Sequence, residues 1–396
     1  MKKNSAKDIF QTYQAQTFKY PSLLNIDHCK GVYVYDTENK KYLDFVAGVS
    51  ACSVGHSNKR IIEAVKKQID KYYHVMVYGE YIQKPQLSLA KLLADNLPKT
   101  LSTTYFTNSG TEAIEGAMKL AKRISKKSEI ISCLDSYHGS TQGSLSIMGK
   151  EFYKASFRPL LPECNKIIFN DINSLDNITN KTAAVVIETV QGASGFKIAT
   201  DKFLNALKEK CKSCNTLIIL DAIQTCYGRT GSLFGFEQTT IIPDILCIAK
   251  GMGGGMPIGA FISSWGNMEK LSHNPKLGHI TTFGGHPVNC AASSATLNYI
   301  LDNHLVQKID AKEVLFRKLL VHKKIRSVSG KGLMLSLDLF SENDTNNLVA
   351  NCMKDGLLLF YFLFNSESVR ITPPLTINEE EIELGCNIIL RNLDTL

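Results

Sequence analysis

Two apolar stretches of this chain end in polar residues that could do chemistry together. Residues 217–220 lead into Asp221 and Gln224. Residues 245–249 lead into Lys250 and a glycine-rich segment. Short apolar runs of this kind are typical of buried strands, and open α/β sheets bind ligands where their strands end. We therefore expect Asp221 and Lys250 to face one pocket at the edge of a sheet.

An amine opposite a carboxylate suits pyridoxal phosphate. The Lys250 amine would form a Schiff base with the cofactor aldehyde, while Asp221 would keep the pyridine nitrogen protonated so that the ring accepts electrons. For Lys250 alone, a surface lysine that ends a strand is the alternative interpretation. The spacing from Asp221 and the motifs described below favour the pocket.

A turn of small residues is suited to binding the phosphate of such a cofactor. Strand-like residues 103–107 lead through Gly110 and Thr111 into an amphipathic helix from Glu112 to Arg123. Free N–H groups and the helix dipole favour an anion at such a helix start. An ordinary helix cap would show the same pattern, so the phosphate interpretation depends on the nearby pair of Lys250 and Asp221.

Two further strand ends add candidates to the same presumed cleft. Residues 129–134 lead to Tyr137 and His138, whose rings could lie over a planar cofactor ring in offset stacking. A solvent-facing loop is the alternative for these two aromatic residues. Residues 182–187 form the continuous apolar run expected of a strand covered on both faces, and they deliver Glu188.

Composition excludes several function classes. The formal charge of +8 comes from Lys and Arg scattered among acidic residues, so no nucleic-acid partner is predicted, whereas an anionic cofactor and carboxylate substrates fit. The N-terminus lacks the apolar core of a signal peptide and no run of about 18 apolar residues occurs, which predicts a cytoplasmic protein without membrane spans.

The cysteines predict a reducing compartment and no metal site. Their number is 11, an odd count without framework spacing, and Cys133 and Cys247 lie inside apolar runs as buried thiols would. Cys211 and Cys214 have metal or redox spacing, but no second Cys or His pair accompanies them.

The order of elements predicts an α/β protein with two units. Residues 61–300 alternate strands and helices, which indicates a large cofactor-binding domain with a mainly parallel sheet flanked by helices. Residues 301–396 form a smaller α+β unit, and the hairpin within residues 1–60 is expected to contribute to it.

Six ordered motifs resemble those of the class III pyridoxal-phosphate (PLP) aminotransferases, in particular the acetylornithine and ornithine aminotransferase group. They are Thr107-Asn-Ser-Gly-Thr-Glu-Ala113, Ser136-Tyr-His-Gly139, Glu188 with Gln191-Gly192, Asp221-x-x-Gln224-Thr-x-x-Gly228-Arg-Thr-Gly231, Ala249-Lys-Gly251 and Thr282-Phe-Gly-Gly285. The resemblance implies PLP fold type I and a homodimer with active sites at the subunit interface.

The same resemblance implies a role for each matching residue. Lys250 would be the Schiff-base lysine, Asp221 the partner of the pyridine nitrogen, and Gln224 the partner of the ring's phenolic oxygen. Gly110 and Thr111 would hold the phosphate, Tyr137 would stack on the ring, Glu188 would be an acid near it, and Thr282 would reach the phosphate of the neighbouring subunit. Arg370 would receive a substrate carboxylate, and Tyr20 is a further candidate for substrate binding.

Three positions depart from the family pattern. Ser140 stands where an arginine usually grips the carboxylate of the amino donor. Ala193 stands where a glutamate usually covers the arginine that corresponds to Arg370, and Ala222 replaces an acid after Asp221. These departures leave the amino donor open.

The leading functional hypothesis is an aminotransferase that exchanges an amino group between an amine or amino acid and a 2-oxo acid, with 2-oxoglutarate and glutamate as the expected acid pair. An aminomutase, racemase or decarboxylase on the same fold is the alternative, because the fold does not fix which bond breaks. A non-catalytic protein would have no need for Lys250, Asp221 and Gln224, which argues against that class.

Overall fold

The computed structural model describes residues 5–396. Its helices are α1 Ala6–Tyr13, α2 Ala47–Ser50, α3 Lys59–Ile69, α4 Lys84–Asp95, α5 Gly110–Ser125, α6 Gln142–Ser146, α7 Asp201–Ser213, α8 Trp265–Met268, α9 Pro287–Asp302, α10 Ile309–Leu319, α11 Glu342–Lys354 and α12 Glu379–Asp394. Its strands are β1 Ile26–Lys30, β2 Tyr33–Asp36, β3 Lys41–Asp44, β4 Thr103–Thr107, β5 Glu129–Cys133, β6 Cys164–Ile167, β7 Thr182–Ile187, β8 Val190–Gln191, β9 Lys197–Ile198, β10 Leu217–Asp221, β11 Ile245–Ile248, β12 Gly259–Ser263, β13 Ser327–Lys331, β14 Met334–Asp338, β15 Leu357–Leu358, β16 Phe360–Tyr361 and β17 Ser368–Ile371.

A seven-stranded sheet forms the centre of the molecule, in the order β4-β12-β11-β10-β7-β5-β6. Strands β11, β10, β7, β5 and β6 run parallel, while β12 is antiparallel to both of its neighbours. Every residue of β7, β11 and β12 is buried, as expected of strands covered on both faces. The mainly parallel sheet predicted from the sequence is confirmed, and its parallel strands end along one edge.

Helix α5 begins at that edge because its first turn is capped twice. The Ser109 hydroxyl accepts the N–H of Glu112, and the Glu112 carboxylate accepts the backbone N–H of Asn108. The helix then packs apolar residues such as Ile114 and Leu120 against the sheet. Its N-terminus, which carries Gly110 and Thr111, is thereby fixed beside the strand ends.

Two four-stranded sheets lie outside the central one, with the orders β13-β14-β17-β16 and β1-β2-β3-β15. In the second sheet β15 pairs parallel to β3, with Leu357 opposite Leu43. The N-terminal hairpin and a C-terminal strand therefore share one sheet. Across residues 5–396, no helix has both the length and the apolar character that crossing a membrane requires.

Candidate active site

A cleft of about 810 Å³ opens at the carboxyl edge of the central sheet. It brings together eight of the residues predicted from the sequence, namely Gly110, Thr111, Tyr137, Glu188, Asp221, Gln224, Lys250 and Arg370. Each of the first seven lies at the end of a strand of this sheet or a few residues beyond it, which is where open α/β sheets bind ligands. Arg370 comes instead from β17 of the neighbouring sheet.

Lys250 lines this cleft just after β11. The chain turns there into a 3₁₀ segment, Lys250–Gly253, and Lys250 itself has a left-handed φ of 48°. Burial lowers the pKa of its amine, opposed by the negative charges of Asp221 and Glu188 and reinforced by the positive charge of Arg370. A lowered pKa increases the fraction of Lys250 that is in the neutral, nucleophilic form at a given pH.

Asp221 ends β10 as a buried carboxylate with two fixed contacts. Its Oδ1 accepts the backbone N–H of Ile223 at 3.0 Å, and its Oδ2 lies 2.7 Å from Nδ1 of His138. A carboxylate oxygen offers about two lone pairs, so Asp221 keeps acceptor capacity for a ligand N–H. Its orientation is set by the protein before any ligand enters.

His138 lines the cleft beside Tyr137, and its side chain is fully buried against Asp221. The placement of its ring over a planar cofactor stays a prediction. The proton on Nδ1 is assigned from this contact, because an ionised carboxylate can only accept. The buried Nε2 has no protein partner within residues 5–396. The two residues are 83 positions apart, so local sequence carried no signal for the pair.

A cluster of hydroxyls surrounds the N-terminus of α5. The Thr111 hydroxyl lies 2.6 Å from that of Thr141 and 2.7 Å from that of Ser144. A methyl group on Gly139 would come within 2.3 Å of Thr111 Oγ1, so only glycine fits there. Hydroxyls, a helix N-terminus and glycine together form a concave polar surface suited to a phosphate. Thr141 and Ser144 were not predicted, because nothing local marks them.

Gln224 and Glu188 line the cleft just after β10 and β7. The Gln224 amide donates to the Ser50 hydroxyl at 3.1 Å, which leaves one amide hydrogen for a ligand. The Glu188 carboxylate accepts the backbone N–H of Gly192 at 2.8 Å and that of Tyr137 at 3.4 Å. Burial, with the nearby charge of Asp221, raises the pKa of Glu188, against the opposing effect of His138.

Arg370 is a buried cation that lies against two aromatic rings, which also contact each other edge to face. Its guanidinium carbon lies 4.8 Å from the ring centre of Phe362 and 5.6 Å from that of Phe196. Its Nε donates to the Tyr361 carbonyl at 3.1 Å, and it makes no ion pair with a carboxylate of residues 5–396. Burial lowers its pKa to about 10, so it remains charged at neutral pH. With Ala193 beside it in the cleft, the guanidinium is free to bind a carboxylate.

Ser140 and Ala222 are the other two positions that depart from the family pattern, and the structure shows the surroundings of both. Ser140 is exposed at the cleft, and its hydroxyl lies 3.1 Å from that of Tyr137. Ala222 is fully buried in the main hydrophobic core, where its N–H donates to the Cys247 carbonyl. An acid at that position would place a charge among apolar side chains, which is costly.

Thr282 and Tyr20 do not reach the cleft of their own chain. Tyr20 is 71% exposed in the N-terminal segment, and Thr282 is exposed on the loop before α9. The preceding Thr281 contacts a residue that lines the cleft, because Asn108 Nδ2 donates to the Thr281 hydroxyl at 2.9 Å.

Comparison with known proteins identifies relatives along nearly the whole chain. Residues 14–393 match the family model described as aminotransferase class-III. The acetylornithine aminotransferase of Methanocaldococcus jannaschii is 38% identical over 375 residues, which cover 91% of each chain. That of Caldanaerobacter subterraneus is 36% identical over 395 residues, covering 97% of this chain and 96% of the relative.

Solved structures of aminotransferases also match nearly the whole chain. The ornithine aminotransferase of Toxoplasma gondii superimposes with a TM-score of 0.91 at 27% identity, covering 100% of this chain and 96% of that one. The adenosylmethionine-8-amino-7-oxononanoate aminotransferase of M. jannaschii superimposes with a TM-score of 0.91 at 26% identity, covering 98% of each chain.

Proposed function

This chain belongs to the class III aminotransferases, and we propose that its cleft holds pyridoxal phosphate between Lys250 and Asp221. The protein transfers amino groups, as its family and its relatives do. The observation that carries the cofactor proposal is the placement of an amine and a carboxylate at the ends of adjacent parallel strands, β11 and β10. The hydroxyl cluster at the start of α5, where only glycine fits at position 139, suits the phosphate.

Pyridoxal phosphate, when bound, supplies an aldehyde that amines can join and a ring that takes up electrons. Lys250 would hold that aldehyde through Nζ and, once a substrate amine displaces it, carry a proton at Nζ to and from the substrate carbon. Its lowered pKa suits both tasks. Asp221, oriented by His138, would hold the proton of the ring nitrogen.

The remaining residues would position the cofactor. Gly110 and Thr111 would bind the phosphate, and Tyr137 would stack on the ring. Gln224 would donate its free amide hydrogen to the phenolic oxygen. Glu188, whose pKa burial raises to about 7, would be partly protonated beside Asp221 near neutral pH and would limit the negative charge beside the ring.

Arg370 would bind a substrate carboxylate as a two-pronged donor, which supports glutamate and 2-oxoglutarate as one substrate pair. Three of the four relatives named above are acetylornithine or ornithine aminotransferases, and an amino donor of that general kind is the starting hypothesis. Tyr20 remains a proposed substrate contact, made from outside the cleft of its own chain.

We also propose a cytoplasmic homodimer with shared sites. Large apolar side chains are exposed on two neighbouring segments, among them Tyr81, Ile82 and Phe283. Such a patch is typical of a buried interface. Thr282 lies within it and would complete the phosphate site of the partner.

Borohydride reduction of the purified protein, followed by peptide mass mapping, tests the cofactor proposal. Reduction would fix the cofactor to the peptide that contains Lys250, and Lys250→Ala would carry no such adduct. An adduct on another lysine of the wild-type protein, or a reduced covalent adduct on the Lys250→Ala protein, would refute the assignment. Net amino transfer from glutamate then distinguishes a transaminase from an aminomutase, racemase or decarboxylase.

A further inference from the structure

One peptide unit of the loop between β16 and β17 is held by two distant segments of the chain. It joins Leu363 to Phe364. Its carbonyl accepts the Tyr153 hydroxyl at 2.7 Å, and its N–H donates to the Ala193 carbonyl at 3.0 Å. Because a peptide unit is planar, hydrogen bonds to both of its polar groups fix its orientation. Tyr153 and Ala193 therefore clamp this peptide.

The residues just before the clamped peptide contact Arg370. The Tyr361 carbonyl accepts the Nε hydrogen of Arg370 at 3.1 Å, and the ring centre of Phe362 lies 4.8 Å from the guanidinium carbon. Phe362 also packs edge to face on Phe196, with 4.6 Å between the ring centres. Leu363 comes next and lines the cleft. A shift of the clamped peptide would therefore move the groups that orient the guanidinium.

Tyr153 lies on a segment that is itself anchored. It ends the 3₁₀ segment Glu151–Tyr153 between α6 and β6, and its ring centre lies 5.2 Å from that of Phe364. The next residue, Lys154, is buried, and its Nζ donates to the Met148 carbonyl at 3.1 Å. The Tyr153 hydroxyl is thereby a fixed point for the loop before β17.

We propose that Tyr153 is a positioning residue for the substrate carboxylate, acting on Arg370 through the Leu363–Phe364 peptide. This role rests on the proposed binding of a substrate carboxylate by Arg370. A guanidinium donates two parallel hydrogen bonds to a carboxylate only when its plane is correctly oriented. Packing and hydrogen bonds to its neighbours set that orientation. Since Arg370 makes no ion pair with a carboxylate of residues 5–396, it depends on the Tyr361 carbonyl and the two rings.

Binding of glutarate to the cofactor-loaded, full-length protein tests the proposal. Glutarate has both carboxylates of 2-oxoglutarate but neither an amine nor a keto group, so its dissociation constant from titration calorimetry reports carboxylate binding alone. We expect Tyr153→Phe, which keeps the ring and removes the hydroxyl, to raise this constant about three- to tenfold. KM for 2-oxoglutarate should rise by the same factor while kcat changes by less than about twofold.

Tyr42→Phe is the matched control. The Tyr42 hydroxyl also makes one hydrogen bond, to Asp36 at 2.9 Å, but within the separate sheet β1-β2-β3-β15. This variant should leave the glutarate constant unchanged. A Tyr153→Phe protein that binds glutarate like the wild type would overturn the proposal. So would a Tyr153→Phe protein whose kcat, cofactor content and melting temperature fall together with its glutarate affinity, because the hydroxyl would then only stabilise the fold.

Arg370→Ala distinguishes a failure of this inference from a failure of the proposed function. If Arg370→Ala abolishes glutarate binding while Tyr153→Phe leaves it unchanged, the positioning role is refuted and the carboxylate site stands. If Arg370→Ala also leaves glutarate binding unchanged, the carboxylate site itself is wrong. Loss of binding in Arg370→Ala together with weakened binding in Tyr153→Phe is the result that we expect.

Discussion

At the scale of single residues, the charge of Asp221 can be tested directly by substitution. A buried carboxylate at the end of β10 can keep a ring nitrogen protonated only while it is ionised. We predict that Asp221→Ala lowers kcat about 100- to 1,000-fold and that Asp221→Glu loses less, since it keeps the charge. Steady-state kinetics measure both, with Asp302→Ala as the control because Asp302 is an exposed partner of Arg60. A loss below about threefold would mean that the ring nitrogen is held in another way.

His138 should act through Asp221 as a positioning residue. A hydrogen bond to a charged group contributes about 1.5–3 kcal/mol, so we predict that His138→Leu lowers kcat about ten- to a hundredfold. His138→Asn should recover part of this, since an amide can also donate to Asp221 Oδ2. The ratio of the two kcat values is the readout. If the Asn and Leu variants were equally impaired although both fold and bind cofactor, the role would lie in packing instead.

The sequence predicted the site residues that follow strands and missed those joined by tertiary contacts. Lys250 and Asp221 could be predicted because a polar residue that ends an apolar run must emerge at a sheet edge. His138 could not be paired with Asp221, since only the order of strands brings β5 and β10 to opposite sides of β7. The Thr111 hydroxyl cluster depends in the same way on the path of the chain around α6.

At the scale of elements, burial decides what could be predicted. Strands β7, β10 and β11 are continuous apolar runs, and α5 has a clear apolar face. The polar strand β13, with glycine at position 330, carries no such pattern and takes its conformation from pairing with β14. The conformation of such a segment is set by the strand with which it pairs, and the intrinsic strand preference of its own residues does not predict it.

The turn α2 is an element that side-chain electrostatics hold in place. Ala47, Val49 and Ser50 all have positive φ angles, a strained conformation for residues with a Cβ. Asp44 accepts the N–H of Ala47 on one side and holds His56 on the other. This pairing offsets part of the strain.

The raised pKa of His56 makes that stabilisation depend on pH. Because the pKa is about 10 in the folded protein and about 6.5 in an unfolded chain, the stabilisation is complete below about pH 6.5 and is lost as pH rises through about 10. We predict that His56→Gln lowers the free energy of unfolding by about 1–3 kcal/mol near pH 6 and by less near pH 10. Urea unfolding at fixed protein concentration measures this. A difference that grows with pH would contradict the assignment.

At the scale of the whole molecule, the exposed apolar patch predicts an obligate dimer. Ile82 is 93% exposed, next to Tyr81 at 61%, and such a patch is costly in water. We predict that Ile82→Lys produces monomers in sedimentation velocity and that cofactor is lost with them, since Thr282 is expected to complete the partner's phosphate site. Val321→Lys is the matched control, because Val321 is 74% exposed on the C-terminal unit. A wild-type monomer that retains both cofactor and activity would refute the shared site.

Substrate choice also belongs to the whole molecule, because it depends on which cations the assembled cleft presents. Among residues 5–396, the cations that line the cleft are Lys250 and Arg370, and Arg370 is uncovered beside Ala193. We therefore predict that glutamate is a good amino donor. A longer donor such as N-acetylornithine or ornithine finds Ser140 in place of a guanidinium, a loss of about 1.5–3 kcal/mol, or roughly ten- to a hundredfold in affinity.

Mixing the cofactor-loaded protein with each amine, and following the visible absorbance of the bound cofactor, measures these preferences. Ser140→Arg should raise the affinity for N-acetylornithine about tenfold and leave the affinity for glutamate nearly unchanged, because it adds a charge-assisted pair at the outer end of the cleft. Ser140→Gln is the control for size without charge. If the wild-type protein accepts N-acetylornithine as readily as glutamate, the interpretation of Ser140 and Ala193 is wrong, and Ser140→Arg would then bring no gain.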